Sequence, residues 1–168
     1  MLTRKNLAVL MSESAGRSIR EMASLSHPHE TGGILLGMRA GNRPWVTMAV
    51  EIESNDRGAT HYRLPGGATS RAVSAARLMD RRLGYLGDWH SHPMDIPASN
   101  TDRATMVHVA QLIRSFKGPL LVVARRVGLD LYEIDAAQAT ARGIRLCTLT
   151  PTGDPPSESD SPTDSGRG

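Results

Sequence analysis

The chain has one cysteine, Cys147, in 168 residues, so no intrachain disulfide can form. One thiol also cannot supply a structural zinc site, which takes four ligands, mostly cysteines. Aromatic residues are scarce: one Phe, two Trp and three Tyr. That is too few for a platform on which nucleic-acid bases stack. No apolar run approaches the roughly 18 residues of a membrane helix. The apolar stretch Leu7 to Met11 is shorter than the core of a signal peptide and reads as a first strand. These absences lead to the expectation of a cytoplasmic protein that binds neither nucleic acid nor membrane.

Charge is unevenly distributed. The formal net charge is +3, but residues 151–168 hold Arg167 against Asp154, Glu158, Asp160 and Asp164. The tail is therefore −3 and the body +6. The basic residues of the body are scattered rather than clustered, which again argues against nucleic acid. Pro, Ser, Gly and Asp dominate the tail, with no apolar residue to anchor it. Such a composition predicts a disordered acidic tail over 151–168, after one domain over 1–150.

Within the body, strand and helix patterns interleave. Strands are expected over 7–11, 33–40, 44–53, 85–92, 119–127, 129–137 and 143–149, with turns at 41–43 and near Gly128. A first helix is capped by Ser12 or Ser14, carries Ile19, Met22 and Ala23 on one side and ends at Pro28. A second spans 69–83, with Ala72, Ala76, Met79 and Leu83 on one face, and a third spans 101–116. This alternation points to an α/β sandwich with a mixed sheet.

The segment YLGDWHSHP places His90 and His92 two residues apart on a strand, so both imidazoles leave the same face. Trp89 then faces the other way. Asp102 follows in the first turn of the third helix, on the side that Met106, Val109 and Ile113 occupy. Ser99 and Asp102 fit a capping box, which accounts for that pair without any metal. It does not account for the two histidines. Two imidazoles and one carboxylate suit a catalytic zinc, where three protein ligands leave a position for water. Such a site needs a base, and Glu30, set just before the apolar run GGILLG, supplies one. Ser99 would donate a hydrogen bond to the oxyanion.

Other metal-dependent hydrolases fit poorly. The metallo-β-lactamase pattern requires an aspartate where Met94 stands, and zinc deaminases need a PCxxC pair. Amidohydrolases need a barrel of about 250 residues. His27, His29, His61 and His108 read as loop or surface residues, and Cys147 as a small hydrophobe.

Glu30 in ETGGILLG, His90-x-His92 and Ser99-x-x-Asp102 together resemble the JAMM (MPN-plus, JAB domain) zinc metalloproteases. These are peptidases and isopeptidases that cut after the C-terminus of ubiquitin or ubiquitin-like proteins. The resemblance implies a cytidine-deaminase-like, three-layer α/β/α sandwich. It implies one Zn2+ held by His90, His92 and Asp102, with Glu30 as general base and Ser99 as oxyanion donor. Six residues separate His92 from Ser99, one fewer than in familiar eukaryotic members. That spacing is similar to stand-alone bacterial JAB peptidases, some of which accompany conjugation enzymes in CBASS antiphage operons. The implied partners are a ubiquitin-like or C-terminally conjugated protein, docked along an exposed strand edge, and a ubiquitin-activating or conjugating-like system encoded nearby. The alternative is a non-catalytic interaction protein of the same fold, or a domain resembling the DNA-repair-associated RadC proteins.

Overall fold

The structure is a computed structural model, and it describes residues 6–113 and 117–160. Seven strands and three helices follow in the order β1 (Leu7–Ser12), α1 (Glu13–Ser26), β2 (Gly32–Ala40), β3 (Arg43–Glu51), α2 (Ala68–Met79), β4 (Gly84–His92), α3 (Asn100–Leu112), β5 (Leu120–Gly128), β6 (Leu131–Thr140) and β7 (Gly143–Thr152).

The mixed sheet is present, but it is not the open middle layer of a three-layer sandwich. Its strands run β1-β3-β2-β4-β5-β6-β7 and close into a barrel through parallel pairing of β1 with β7. The pairing extends from Leu7 opposite Cys147 to Ser12 opposite Thr152. Helices do lie on both faces, as a sandwich requires. The difference is that the sheet curls around α1, whose Ala15, Ile19 and Ala23 pack with Val9, Leu35, Trp89 and Val122. On the outer face α2 covers β2 through Ala76 against Ile34 and Leu36. There α3 covers β5 through Met106 against Leu121 and Val123. The outer face of β4 lies between these two patches.

Closure is incomplete at two seams: β1 meets β3 only at Leu10–Trp45 and Met11–Val46, and β6 meets β7 only over Ala137–Thr140. Met48–Glu51 of β3 and Leu131–Ala136 of β6 therefore carry a ladder on one side only, and such one-sided stretches are where an extended segment can add.

Local chemistry sets the element ends. The Ser12 hydroxyl accepts from the Ala15 amide at 3.2 Å and starts α1. Helix α2 stops at Met79, four residues short of the expected end. Asp80 is extended there, and its carboxylate accepts from the Arg82 amide at 2.9 Å. Met79 is 69% exposed rather than on the packed face, while Leu83 reaches the same cluster from beyond the helix. Helix α3 ends at Leu112, and 114–116 of its expected span lie outside the described residues.

Residues 151–160, assigned by composition to the tail, begin with the end of β7. The Trp45 indole donates to Thr152 Oγ1 at 2.8 Å, and Arg81 pairs with Glu158 at 3.1 Å. Residues 161–168 lie outside the described residues. Among the described residues no helix is long and apolar enough to cross a membrane.

Candidate metal centre

Strand β4 carries the site, and a bulge shapes it. Leu35 pairs with Gly87 and Leu36 with Tyr85, so Leu86 is an extra residue in β4. A bulge reverses the side-chain alternation. Tyr85 is thereby brought to the outer face with Asp88, His90 and His92, and its hydroxyl donates to Asp88 Oδ1 at 2.8 Å. Trp89 and Leu86 point inward to the α1 core.

His90 and His92 converge at the end of β4. Their Nε2 atoms are 3.0 Å apart, and Asp102 Oδ2 lies 3.4 Å from the first and 3.7 Å from the second. Nitrogen and oxygen donors 2.0–2.1 Å from a tetrahedral zinc are separated by about 3.3 Å. The three distances bracket that value, so the donor set fits a small divalent metal.

Tautomer points the same way. A carbonyl only accepts, so the contact of 2.5 Å between His92 Nδ1 and the Ile96 oxygen is an N–H donation. That proton assignment leaves the Nε2 lone pair free for a metal, with the Ile96 carbonyl holding the ring from its other side.

Asp102 reaches the histidines from the start of α3, where Ser99 is the N-cap. Both halves of the capping box form: Ser99 Oγ accepts from the Asp102 amide at 3.1 Å, and the Ser99 amide donates to Asp102 Oδ2 at 2.6 Å. The cap and the cluster therefore share one carboxylate. Burial pushes the Asp102 pKa up, but the adjoining imidazoles of His90 and His92 and the Ser99 amide outweigh it and hold the carboxyl well below its ordinary range. Burial likewise disfavours charged His92, and Asp102, the Ile96 carbonyl and Glu30 more than compensate, raising its pKa.

Glu30 is 6% exposed, and its Oε1 lies 3.8 Å from His92 Nε2. Burial raises its pKa, with only partial opposition from His90 and His92. A carboxylate so placed readily takes up a proton. Its position depends on a clasp that the sequence reading missed. Ser91, between the two histidines, faces the opposite way; its hydroxyl accepts from the Thr31 amide at 3.0 Å. The Ser91 amide returns a bond to the Thr31 carbonyl at 2.8 Å. The Glu30 amide donates to the Gly58 carbonyl at 2.7 Å. Gly33 follows because an added Cβ would sit 1.9 Å from the Val50 oxygen. A small polar residue between two histidines was the available signal for the clasp. Ser91→Ala strands the buried Thr31 N–H, and we expect a loss of about 1–3 kcal/mol in urea unfolding of the metal-free protein. A change below 0.5 kcal/mol, roughly the scatter of neutral substitutions, would remove the clasp from this account.

Beside the cluster lies a cleft of about 690 Å³, lined by Asp88, His90, Ser99, Asp102, Tyr62 and Met106 among others. Asp88 was not singled out from sequence. Burial pushes its carboxyl up to about 6, against the opposing effects of the Tyr85 hydroxyl and His90. His61 is exposed, borders this cleft and sits 3.2 Å from Asp56. His27, His29 and His108 are exposed, and none belongs to the metal-binding group. Cys147 packs against the main core, and burial raises its thiol to about 11, which suits a hydrophobe and not a nucleophile.

The family model for prokaryotic homologues of the JAB domain matches residues 12–140, and the chain belongs to that family. The matched span includes Glu30, His90, His92, Ser99 and Asp102. A curated relative, the CD-NTase/cGAS isopeptidase of Pseudomonas aeruginosa (strain BWHPSA011 / Pa011), is 26% identical over 117 residues, covering 68% of this chain and 72% of the relative. The fold is similar to the solution structure of protein DSY2949 from Desulfitobacterium hafniense. That likeness has a TM-score of 0.65 at 16% identity and covers 90% of this chain and 97% of that one.

Proposed function

We propose that this chain is a zinc-dependent isopeptidase that hydrolyses the amide bond after the C-terminus of a ubiquitin-like or similarly conjugated protein. The observation that carries the reading is the convergence of His90, His92 and Asp102 on one point, with buried Glu30 3.8 Å from His92. His90, His92 and Asp102 would hold the metal, which as a Lewis acid polarises a carbonyl and acidifies water. Glu30 takes the proton of the attacking water and passes it to the leaving amine, since a buried carboxyl of raised pKa serves both steps. Ser99 keeps its hydroxyl proton while its oxygen accepts from the Asp102 amide, so that proton is available to the oxyanion. The cleft beside His90 receives the extended tail of the carrier.

The name of the Pseudomonas relative supports a role in a CD-NTase antiphage system, where the enzyme would undo conjugates made by a ubiquitin-activating or conjugating-like partner. The test is a comparison of wild type and Glu30→Gln in a host carrying the neighbouring genes, reading lysine-branched peptides and protein C-termini by mass spectrometry. A conjugate or uncut precursor that accumulates only with Glu30→Gln supports the reading. Identical peptide profiles, with the candidate conjugate present in both, contradict it.

A further inference from the structure

The loop that leaves β4 holds a contact on which the metal site depends. Its Ile96 carbonyl accepts from His92 Nδ1 and so determines which ring nitrogen is free. Yet the loop has little apolar anchorage: Met94 is 57% exposed and Ile96 47%. Within it, the Ile96 amide donates to the Met94 carbonyl at 2.9 Å, a bond that leads nowhere else in the fold. Another attachment must hold the carbonyl in place.

That attachment is ionic. Arg125 lies on β5 directly opposite His92 in the parallel register. Its guanidinium is gripped from β6 by Asp135, with Nε donating to Oδ2 at 2.5 Å and Nη2 to Oδ1 at 3.1 Å. Nη2 also reaches Glu133 Oε2 at 3.1 Å. The remaining nitrogen, Nη1, donates to Asp95 Oδ1, the residue just before Ile96. A guanidinium held at both ends of its planar fork has a fixed direction. The Arg125 side chain is 17% exposed and that of Asp95 61%, so the tether acts through the fixed direction of the guanidinium rather than through a shielded charge pair.

We propose that Arg125 and Asp95 are positioning residues of the metal centre: Arg125, oriented by Asp135, tethers Asp95 and thereby holds the Ile96 carbonyl that keeps His92 in its metal-ready tautomer. The inference rests on the metal-centre reading above. Neither residue belongs to the cluster of His90, His92 and Asp102. Their effect reaches His92 through one backbone step and one hydrogen bond. A purely structural ion pair would change stability and leave the imidazole unchanged.

The test uses the full chain and two readouts. In the metal-free protein, 15N-edited imidazole spectra at pH 8 report the tautomer of His92, assigned by its absence in His92→Ala. Wild type shows the Nδ1–H form, and Asp95→Ala shifts population toward Nε2–H. Zn2+ affinity, measured by competition with a chelator, falls about 10–100-fold in Asp95→Ala, as loss of an outer-shell partner does. Arg125→Met gives a similar loss, and the double variant is no weaker than the worse single one. Glu133→Ala, which removes an arm of the network that does not reach the loop, leaves both readouts unchanged. If Arg125→Met fails to fold, Asp95→Ala carries the test alone. Wild type that binds Zn2+ while Asp95→Ala binds it equally with an unchanged tautomer overturns the tether and leaves the metal centre standing. Wild type that binds no Zn2+ overturns the metal-centre reading, and the tether falls with it.

Discussion

Glu30→Gln is expected to bind Zn2+ as tightly as wild type, to unfold at nearly the same denaturant concentration, and to cleave its conjugate about 10³-fold more slowly. The amide has the shape of the carboxylate and fills the same buried space at 6% exposure. It cannot take up a proton from water. The converging group of His90, His92 and Asp102 does not include this residue, so a metal held there would have no reason to leave. Its Oε1 stands 3.8 Å from His92 Nε2, adjacent to the metal position without being the atom that completes it. Single-turnover cleavage of the accumulated conjugate, with metal content measured on the same sample, checks both halves. Cleavage near the wild-type rate would mean that another group is the base. Loss of metal would instead make Glu30 a ligand.

Trp89→Ala is expected to cost about 3–5 kcal/mol, a large part of the 5–15 kcal/mol that holds a typical domain together. Trp89 is fully buried, and its indole donates to the Val50 carbonyl at 3.1 Å. It packs between α1 and the inner face of β4, back to back with the histidine-bearing outer face. Truncation removes the largest fully buried side chain and leaves the Val50 carbonyl short of a donor. Trp89→Phe fills more of the space and loses less. Urea unfolding of the metal-free protein, followed by circular dichroism because one of the two tryptophans is gone, measures the difference. A loss for Trp89→Ala below about 1 kcal/mol would show that the curled sheet does not close on this residue as described.

Much of the cluster was legible because the residues that converge in it lie in short segments with strong local signals. His90 and His92 share a face by strand alternation, and Pro93 follows them. Ser99 and Asp102 announce a helix start, and the capping box is formed. The reading of that pair as a cap and the reading of Asp102 as a ligand were alternatives in the sequence. In the structure one carboxylate both caps the helix and faces the two histidines. Helix α2 was overextended because Met79 and Leu83 continue its apolar spacing. Periodicity cannot register that the Asp80 carboxylate captures the Arg82 amide and turns the chain. Ser91, Asp88 and Arg125 escaped notice for a common reason: each acts on a partner distant in sequence or displaced by a bulge.

By itself the sequence determined the strand and helix order, the mixed sheet, the shared face of the two histidines and the cap that brings a carboxylate to the start of α3. These follow from neighbours a few residues apart, where period, turn chemistry and capping operate. Only the tertiary structure decided that the sheet closes around α1. β7 closes it by running beside β1 from Cys147 onward, and its last two residues, Pro151 and Thr152, are ones that composition had assigned to the tail. It alone also brought Glu30 to within 3.8 Å of His92, across some sixty residues of chain, by clasping Thr31 to Ser91. Such contacts depend on which backbone groups remain unpaired once the strands have aligned, and no local pattern records that.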